Sequence, residues 1–351
     1  MFRRNCSKLA NGAKALIYAE HGDPSKILSL HTLELPGPPK TGQIAVRTLA
    51  APINPADINM IQGVYPIKPA SFPAVGGNEC VAEVTDVGND ITQFKRGDWV
   101  IPSSAGTGSW ISHKLVSITD VINITALMDG KSIPLHSAAT IQVNPPTAYQ
   151  MLTSFVALKD GDVFIQNGAN SSVGVAAIQI GRALGLKSVN IVRERENLQQ
   201  LKDELVRLGA DLVLTENELK SRDGRKAVAA LGGPVKLALN CVGGKSTIYL
   251  AGALAGNGCM VTYGGMSRQP LQVPTGPLIF SNISLRGFWM SRWYKECMDT
   301  EVKEEMFRQL IKWIQNGNLV PPKMCEVSID DYKEAIARSV DSNHGKQLLM
   351  F

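Results

Sequence analysis

The segment 162–174 has the composition of a phosphate-binding turn between a strand and a helix. The apolar run Val163–Ile165 leads into small residues, and an apolar-periodic stretch follows them. At such a turn the first N–H groups of the helix lack intrahelical partners and carry partial positive charge, so a pyrophosphate can bind them. Only Gly168 and Gly174 match the G-x-G-x-x-G fingerprint, and Asn170 takes the place of its middle glycine. By itself this turn fits an ordinary structural loop equally well.

The end of the next apolar run favours NADPH over NADH. Ser188–Val192 reads as the second strand of the same unit, and Arg193, Glu194 and Arg195 follow it. This position borders the adenosine ribose, where an acid holds the 2′-hydroxyl of NAD and arginine neutralises the 2′-phosphate of NADP. Two arginines beside one acid therefore predict NADPH, and a solvated charged loop is the alternative.

Tyr65 is the candidate proton donor. It follows the turn-rich stretch Asn54–Asp57, and Pro66 after it favours an extended backbone from which the hydroxyl projects. A phenol is protonated at neutral pH and can serve as a general acid. A purely structural loop tyrosine is the alternative.

Two further stretches follow predicted strands. Tyr263–Met266 is a glycine turn of the kind that borders a cofactor crevice in a doubly wound sheet. Phe288–Met290, with Trp293, forms an apolar aromatic group that fits either core packing or the wall of a substrate channel.

The sequence predicts no metal site. The histidines do not cluster with cysteine or acid at ligand spacing, and no pair of cysteines has C-x-x-C spacing. The cysteines are expected to be reduced, small apolar residues.

Strand and helix patterns divide the chain into two halves. Short strands bounded by Gly, Pro and Asp predict a β-rich, partly barrel-like N-terminal half. From Thr147 onward, strands and helices alternate, which predicts a parallel sheet with helices on both faces. Near the C-terminus, an amphipathic helix is predicted between Thr300 and Gly317, with its apolar stripe formed by Val302, Met306, Leu310, Ile311 and Ile314.

Composition is that of a globular protein of 351 residues with a net charge of +5. The basic residues are interleaved with acids, so nucleic-acid binding is not expected, and no apolar run approaches the length of a membrane span. The N-terminus has Arg3, Arg4, Lys8 and Lys14 but no acid before Glu20. This pattern is typical of a mitochondrial transit peptide, although a ragged terminus is an alternative.

Taken together, these motifs resemble the zinc-free quinone-reductase branch of the medium-chain dehydrogenase/reductase superfamily, over essentially the whole chain. Within that branch the sequence is similar to the mitochondrial 2-enoyl thioester reductases. Asn78 stands where the zinc alcohol dehydrogenases have a metal-binding histidine. The motifs that carry the resemblance are Asn54-Pro55-x-Asp57, Gly63-x-Tyr65-Pro66, Gly76-Gly77-Asn78-Glu79, Val143–Tyr149, Gln166-Asn167 with Asn170-Ser171, Val192-Arg193-x-Arg195, Tyr263–Met266 and Gly287–Met290.

The resemblance implies an α/β fold with two domains and a homodimer whose active site lies in the cleft between the domains. A doubly wound Rossmann domain, residues 146–290, would bind NADPH. A GroES-like catalytic domain would comprise residues 1–145 and 291–351, with residues 1–12 as a possible remnant of the transit peptide. The location would be the mitochondrial matrix.

The resemblance also assigns the site. Tyr65 would donate the proton. Ser172 stands where the family usually has glycine, so the geometry of the turn is the least secure assignment, and Glu194 stands where aspartate is common. NADPH would be held by Asn144, Asn170, Ser171, Ser172, Val173, Arg193, Glu194, Arg195, Tyr263, Gly264, Gly265, Met266, Phe288, Trp289, Met290 and Lys346.

The implied reaction is the reduction of a trans-2-enoyl thioester of acyl carrier protein or CoA. Hydride from NADPH goes to Cβ, negative charge develops on the thioester oxygen, and Tyr65 supplies the proton to Cα. Trp289 would wall the acyl pocket. Arg286, Arg292 and Lys295 would steer an acidic carrier protein, unless they are simply solvated.

Two other functions fit the same residues less well. A quinone or enone reductase on this fold would not need Tyr65 as an acid. A nucleotide-binding protein that acts through RNA or transcription-factor partners would not need the intact tyrosine and arginines. The sequence leaves open the preferred acyl chain length and the choice between acyl carrier protein and CoA.

Overall fold

The computed structural model describes residues 12–341 and 345–351. The predicted transit segment therefore lies almost wholly outside the described residues. The chain divides into two compact units. The first comprises Met1–Gln142, Met298–Arg308 and Pro322–Phe351, and the second comprises Val143–Cys297 and Gln309–Pro321.

The first unit is built mainly from short strands. Its helices are α1 (Pro24–Ile27), α2 (Pro55–Ile61), α3 (Leu135–Ala139) and, near the C-terminus, α13 (Tyr332–Asp341). Its strands are β1 (Ala13–Tyr18), β2 (Ser29–Leu33), β3 (Gln43–Pro52), β4 (Ala74–Val75), β5 (Val81–Val87), β6 (Trp99–Pro102), β7 (His113–Ser117), β8 (Val121–Asn123), β15 (Met324–Ser328) and β16 (Lys346–Met350).

Two sheets organise these strands. One has seven strands, in the order β15-β16-β3-β5-β6-β8 with β7 also paired to β3, and the other has the order β2-β1-β4. Strand β3 alternates buried and half-buried residues along most of its length, as expected when one face of a sheet covers a core. Ile44 and Val46 of this strand pack with Val84 and Val100. The predicted β-rich, GroES-like character of this half is confirmed.

Strands and helices alternate in the second unit. Its strands are β9 (Val163–Asn167), β10 (Lys187–Val192), β11 (Leu212–Thr215), β12 (Val235–Asn240), β13 (Cys259–Thr262) and β14 (Ser284–Gly287). Its helices are α4 (Asn144–Ser154), α5 (Ser172–Ala183), α6 (Leu198–Arg207), α7 (Glu216–Lys220), α8 (Arg222–Ala229), α9 (Ser246–Ala253), α10 (Thr275–Phe280) and α11 (Met290–Glu296).

The six strands of the second unit form one parallel sheet in the order β11-β10-β9-β12-β13-β14. Strand β9 stands near the centre and is buried along its whole length, because helices cover both faces of a parallel sheet. Two separate cores follow from this arrangement, one containing Ile165 and Met260 and the other Ile178 and Val213. The strand order reverses beside β9, as in a Rossmann fold, so the prediction of a doubly wound sheet is confirmed.

The predicted C-terminal amphipathic helix is α12 (Thr300–Gln315). Met306, Leu310 and Ile311 are buried, but Val302 is half exposed, because burial of the stripe begins one turn later than its sequence periodicity suggests. Among the residues that the structure describes, no helix is both long and apolar enough to cross a membrane.

Candidate active site

The carboxyl edge of the parallel sheet gathers most of the predicted cofactor residues. Parallel strands end at the same edge, so the residues that follow them become neighbours in space. Residues 170–173 follow β9, 193–195 follow β10, 263–266 follow β13, and 288–290 follow β14. The second unit therefore carries all of these residues on one side of its sheet.

The turn after β9 is held by Ser171 and by two glycines. The Ser171 hydroxyl caps α5, accepting a hydrogen bond from the N–H of Gly174 at 3.1 Å. A Cβ at Gly168, where φ is +59°, would clash with the Cys241 thiol, and one at Gly174 would clash with the Ala169 carbonyl. Both glycines of the partial fingerprint are therefore required by packing. Ser172 is accommodated as the first residue of α5.

The three residues that directly follow β10 include two arginines, which give this part of the sheet edge a positive charge. Arg193 and Glu194 are exposed, whereas Arg195 is half-buried. The Nε of Arg195 is buried and has no hydrogen-bond partner within residues 12–341 and 345–351. A buried guanidinium nitrogen without a partner is costly, and an anionic group such as a phosphate would satisfy it.

Asn144 carries a second buried polar group that points to a ligand. It is the first residue of α4, is 8% exposed, and its Nδ2 has no hydrogen-bond partner among the described residues. Buried amide groups are normally paired, so this nitrogen is a candidate donor to a bound molecule. With the N–H groups at the start of α5, these residues fit a phosphorylated dinucleotide.

The loop after β13 is tied to the same turn. Burial raises the pKa of Tyr263 well above its ordinary value; the Cys241 thiol beside it acts in the same direction, and the Ser171 hydroxyl opposes this effect. The N–H of Met266 donates to the Cys241 carbonyl at 2.9 Å. Gly264 lies against the Cys241 backbone, and Gly265 and Met266 are exposed.

An amide network that sequence analysis missed fixes the ends of β9 and β12. The Nδ2 of Asn167 donates to Asn240 Oδ1 at 2.8 Å and to Ser246 Oγ at 3.0 Å. The N–H of Cys241 donates to Asn167 Oδ1 at 2.9 Å. A polar asparagine at the end of each apolar strand was the signal available in the sequence.

The aromatic group after β14 is only partly buried in the hydrophobic core. Phe288 packs edge-to-face on Phe155 at 5.8 Å, and Met290 is buried. Trp289 is half-buried at the start of α11, and the Arg292 guanidinium lies 5.9 Å from its ring centre. Three basic side chains here are exposed: Arg286, Arg292 and Lys295.

Tyr65 lies in the first unit, in the loop that follows α2, and is half-buried. The N–H of Val64 donates to the Asn59 carbonyl at 3.0 Å, and the Lys68 ammonium donates to the Gly63 carbonyl. A Cβ at Gly63 would lie 2.8 Å from His21 Cγ, so this glycine lets the loop rest on the imidazole ring. The loop is thus anchored on both sides of Tyr65.

A buried charged network lies at the other end of α2. Asn54 Nδ2 donates to Glu79 Oε2 at 2.8 Å, and the Lys346 ammonium donates to Asn54 Oδ1 at 2.6 Å. Asp57 accepts from the N–H of Asn54 at 2.7 Å and from Asn78 Nδ2 at 2.5 Å. The motifs that contain these residues are visible in the sequence, but the network that they form was not predicted.

The network is buried deeply enough to shift its pKa values. Burial raises the pKa of Asp57 to about 6, against the opposing effects of hydrogen bonds from Asn54 and Asn78 and the charge of Lys346. Burial lowers the pKa of Lys346, and the charges of Glu79 and Asp57 oppose that change.

The glycine pair before Asn78 has a packing role. A Cβ at Gly76 or Gly77 would clash with the indole of Trp110, which is fully buried. These two residues therefore let the chain pass over Trp110 and deliver Asn78 and Glu79 into the network.

The two units correspond to two known domain families. Residues 40–124 match the alcohol dehydrogenase GroES-like domain, and residues 172–316 match the family described as zinc-binding dehydrogenase. This combination, with the fold above, defines a medium-chain dehydrogenase/reductase.

Similarity over the whole chain identifies a narrower family within this class. The chain is 46% identical over 347 residues to the mitochondrial enoyl-acyl-carrier-protein reductase of Caenorhabditis elegans, covering 99% of this chain and 97% of that protein. The chain therefore belongs to the mitochondrial enoyl-acyl-carrier-protein reductase family, and the predicted resemblance is confirmed.

Solved structures agree with this family. The complex of Etr1p with NADP and crotonyl-CoA has a TM-score of 0.89 and 38% identity, covering 97% of this chain and 99% of that one. The Etr1p/Etr2p heterodimer of mitochondrial 2-enoyl thioester reductase from Candida tropicalis has a TM-score of 0.88 and 39% identity, covering 97% of this chain and all of that one.

The zinc implied by the name of one domain family does not fit the residues present. Among the described residues, no group of three histidine, cysteine or acidic side chains could hold a metal ion. Next to Glu79 the network offers the amides of Asn54 and Asn78, and the Lys346 ammonium donates into it. Amides and an ammonium are unsuitable ligands for zinc, which prefers thiolate and imidazole groups.

Proposed function

We propose that this protein reduces trans-2-enoyl thioesters of acyl carrier protein or CoA to saturated acyl thioesters, using NADPH, in mitochondrial fatty-acid synthesis. The observation that carries the proposal is similarity over nearly the whole chain, at 38% identity, to Etr1p, which has been solved with NADP and crotonyl-CoA. Buried nitrogens of Asn144 and Arg195 that have no hydrogen-bond partner in the part of the chain that the structure describes support it. They belong to the unit whose sheet edge gathers most of the predicted cofactor residues.

NADPH supplies the hydride, which is added to Cβ of the enoyl thioester. Arg193 and Arg195 are proposed to neutralise the 2′-phosphate, and the capped start of α5 to receive the pyrophosphate. Lys346 keeps donors beyond the one that it gives to Asn54, since an ammonium has three. The full proposed set of cofactor contacts is Asn144, residues 170–173, 193–195, 263–266 and 288–290, and Lys346.

Tyr65 is proposed to donate the proton to Cα. A phenol is a suitable general acid, and the loop that carries Tyr65 is fixed by the Val64–Asn59 and Lys68–Gly63 hydrogen bonds. A fixed donor loses little entropy when the substrate binds, which is how positioning contributes to catalysis.

The half-buried Trp289 is proposed to wall the acyl pocket. The exposed Arg286, Arg292 and Lys295 are proposed to attract an acidic carrier protein. Arg292 is 4.0 Å from Glu296, and so long an exposed ion pair leaves its charge available.

A homodimer is proposed from the exposed edge of the parallel sheet. Strand β14 is its last strand, and the preceding helix α10 exposes Ile279 (64%) and Phe280 (86%). An unpaired strand edge beside exposed apolar side chains is a typical association surface. Size-exclusion chromatography with light scattering should give about twice the chain mass, and Phe280→Glu should shift it toward the monomer.

The relatives are named mitochondrial enzymes, and mitochondrial localisation, specifically in the matrix, is proposed here. The domain limits 1–145 with 291–351 and 146–290 also remain a proposal.

The test is NADPH oxidation by the purified protein with trans-2-hexenoyl-CoA, beside an ortho-quinone. Enoyl turnover that falls at least 100-fold in Tyr65→Phe supports both the reaction and the acid. Tyr249→Phe is the matched control, because it removes a phenol hydroxyl from α9, outside the proposed site. Quinone turnover alone, unaffected by Tyr65→Phe, would assign the protein to the quinone reductases.

A further inference from the structure

The buried network around Asn54 contains two carboxylates, Asp57 and Glu79, and one ammonium, that of Lys346. Asp57 and Glu79 are 1% and 0% exposed, and the ammonium faces them. Burying two carboxylates costs several kcal/mol each, and well-packed apolar residues often stabilise such a position better. The presence of two buried carboxylates at this position therefore suits a role other than stability.

Four hydrogen bonds of the network meet at the start of α2. Asn54 and Asp57 form a capping box, and Pro55 is the first residue of the helix. Asn78, which precedes β5, binds Asp57, and Lys346 at the start of β16 binds Asn54. Side chains from distant parts of the chain thus clamp the first turn of one short helix.

That helix leads directly to Tyr65. The N–H of Gln62 donates to Ile58 at 2.9 Å and that of Val64 to Asn59 at 3.0 Å, so the hydrogen-bonded turn continues to the residue before Tyr65. Asn78 Nδ2 also lies 3.1 Å from Met60 Sδ, on the last turn of α2. A shift at Asn54 or Asp57 would therefore be passed through two helical turns to the phenol.

We propose that Asp57 and Glu79 are positioning residues for the proton donor: through Asn54 and Asn78 they fix the orientation of α2 and hence the place of the Tyr65 hydroxyl. This inference rests on the proposed role of Tyr65. The carboxylates act at a distance and need not touch substrate or cofactor.

A small cavity and two further ionisable side chains, Tyr18 and Lys114, lie near the network. A cavity of about 20 Å³, large enough for one water molecule, is lined in part by Tyr18, Asp57 and Asn78. Burial raises the pKa of Tyr18, and the charge of Asp57 adds to this effect. Lys114, which is half-buried, instead donates to the carbonyls of Thr107 and Gly108.

The experiment is a double-mutant cycle in the full-length protein with trans-2-hexenoyl-CoA and NADPH. Asp57→Asn should lower kcat about 10- to 100-fold, because a displacement of about 1 Å has a cost of this size. The KM for NADPH and the NADPH dissociation constant from fluorescence titration should change less than about 3-fold. Tyr65→Phe/Asp57→Asn should be no slower than Tyr65→Phe alone, because the second change then has no donor left to misplace.

Asp98→Asn is the matched control. Asp98 is also buried in the first unit and also accepts from a backbone N–H, that of Lys95 at 3.0 Å, and from an amide, Asn123 at 2.8 Å. Its substitution should leave kcat within about 2-fold. Glu79→Gln repeats the test if Asp57→Asn does not fold.

The outcomes separate the inference from the function on which it rests. If the losses of Tyr65→Phe and Asp57→Asn multiply, or if Asp98→Asn lowers kcat as much, Asp57 is merely structural and the inference is wrong. If Tyr65→Phe itself keeps full activity, the proposed donor is wrong and the inference fails with it.

Discussion

Lys346 and Asn54 are 292 positions apart in the chain, yet the ammonium of one lies 2.6 Å from the amide oxygen of the other. The contact exists because β16 pairs antiparallel with β3, at whose end the chain enters α2. The last strand of the protein thereby anchors the helix that precedes the candidate proton donor.

The network should give the protein an unusual dependence of stability on pH. Burial raises the pKa of Asp57 from 3.8 to about 6, so the folded state binds this proton more tightly than the unfolded state. Protonation of Asp57 therefore stabilises the folded state by about 3 kcal/mol below about pH 4. This contribution is lost as the pH rises through about 6. Urea unfolding between pH 4 and 7 should show this loss relative to Asp57→Asn. Parallel curves for the two proteins would contradict it.

Cofactor affinity should depend on the contact between Gly168 and Cys241. In Gly168→Ala the new Cβ would clash with the thiol at a backbone φ of +59°, and the turn after β9 must shift. We expect at least 10-fold weaker NADPH binding by fluorescence titration. Gly161→Ala provides the control, since φ is +80° there but nothing lies within 4 Å of the new Cβ. Equal losses in both variants would mean that strain alone is responsible.

Cofactor choice should depend on Arg195. Removing its charge in Arg195→Gln should raise the KM for NADPH about 10- to 100-fold and leave the KM for NADH nearly unchanged, because only NADPH has the 2′-phosphate. Arg207→Gln, at the end of α6, is the matched control. A parallel rise in both KM values would remove Arg195 from the 2′-phosphate site.

Activity should be independent of metal. The amides of Asn54 and Asn78 and the ammonium of Lys346 are unsuited to zinc. Elemental analysis of active protein should find well under about 0.1 zinc per chain, and a strong chelator should leave enoyl reduction unchanged. Stoichiometric zinc whose removal abolishes turnover would refute this prediction.

Local patterns in the sequence were sufficient to predict the parallel sheet and its carboxyl edge. Alternation of strands and helices and the residues after Val163–Ile165 and Ser188–Val192 carry that information within short windows. The assignment of individual cofactor contacts stays a prediction.

The charged network could not be predicted in the same way. The capping box of Asn54 and Asp57 is local and could have been read, but Glu79 and Lys346 become their neighbours only through strand pairing. The paired asparagines Asn167 and Asn240 were missed for a similar reason, because register between parallel strands is set by tertiary packing. For Val302 the sequence predicted a contact that the structure lacks. Its spacing places it on the apolar stripe of α12, but it lies one turn before the part of the helix that is packed.

The central claim is tested most directly by identifying the product. Wild-type protein, NADPH and trans-2-hexenoyl-CoA should yield hexanoyl-CoA by mass spectrometry, in amounts equal to the NADPH consumed, and Tyr65→Phe should yield at least 100-fold less in the same time. NADPH consumption without hexanoyl-CoA, or equal product from both proteins, would contradict the account.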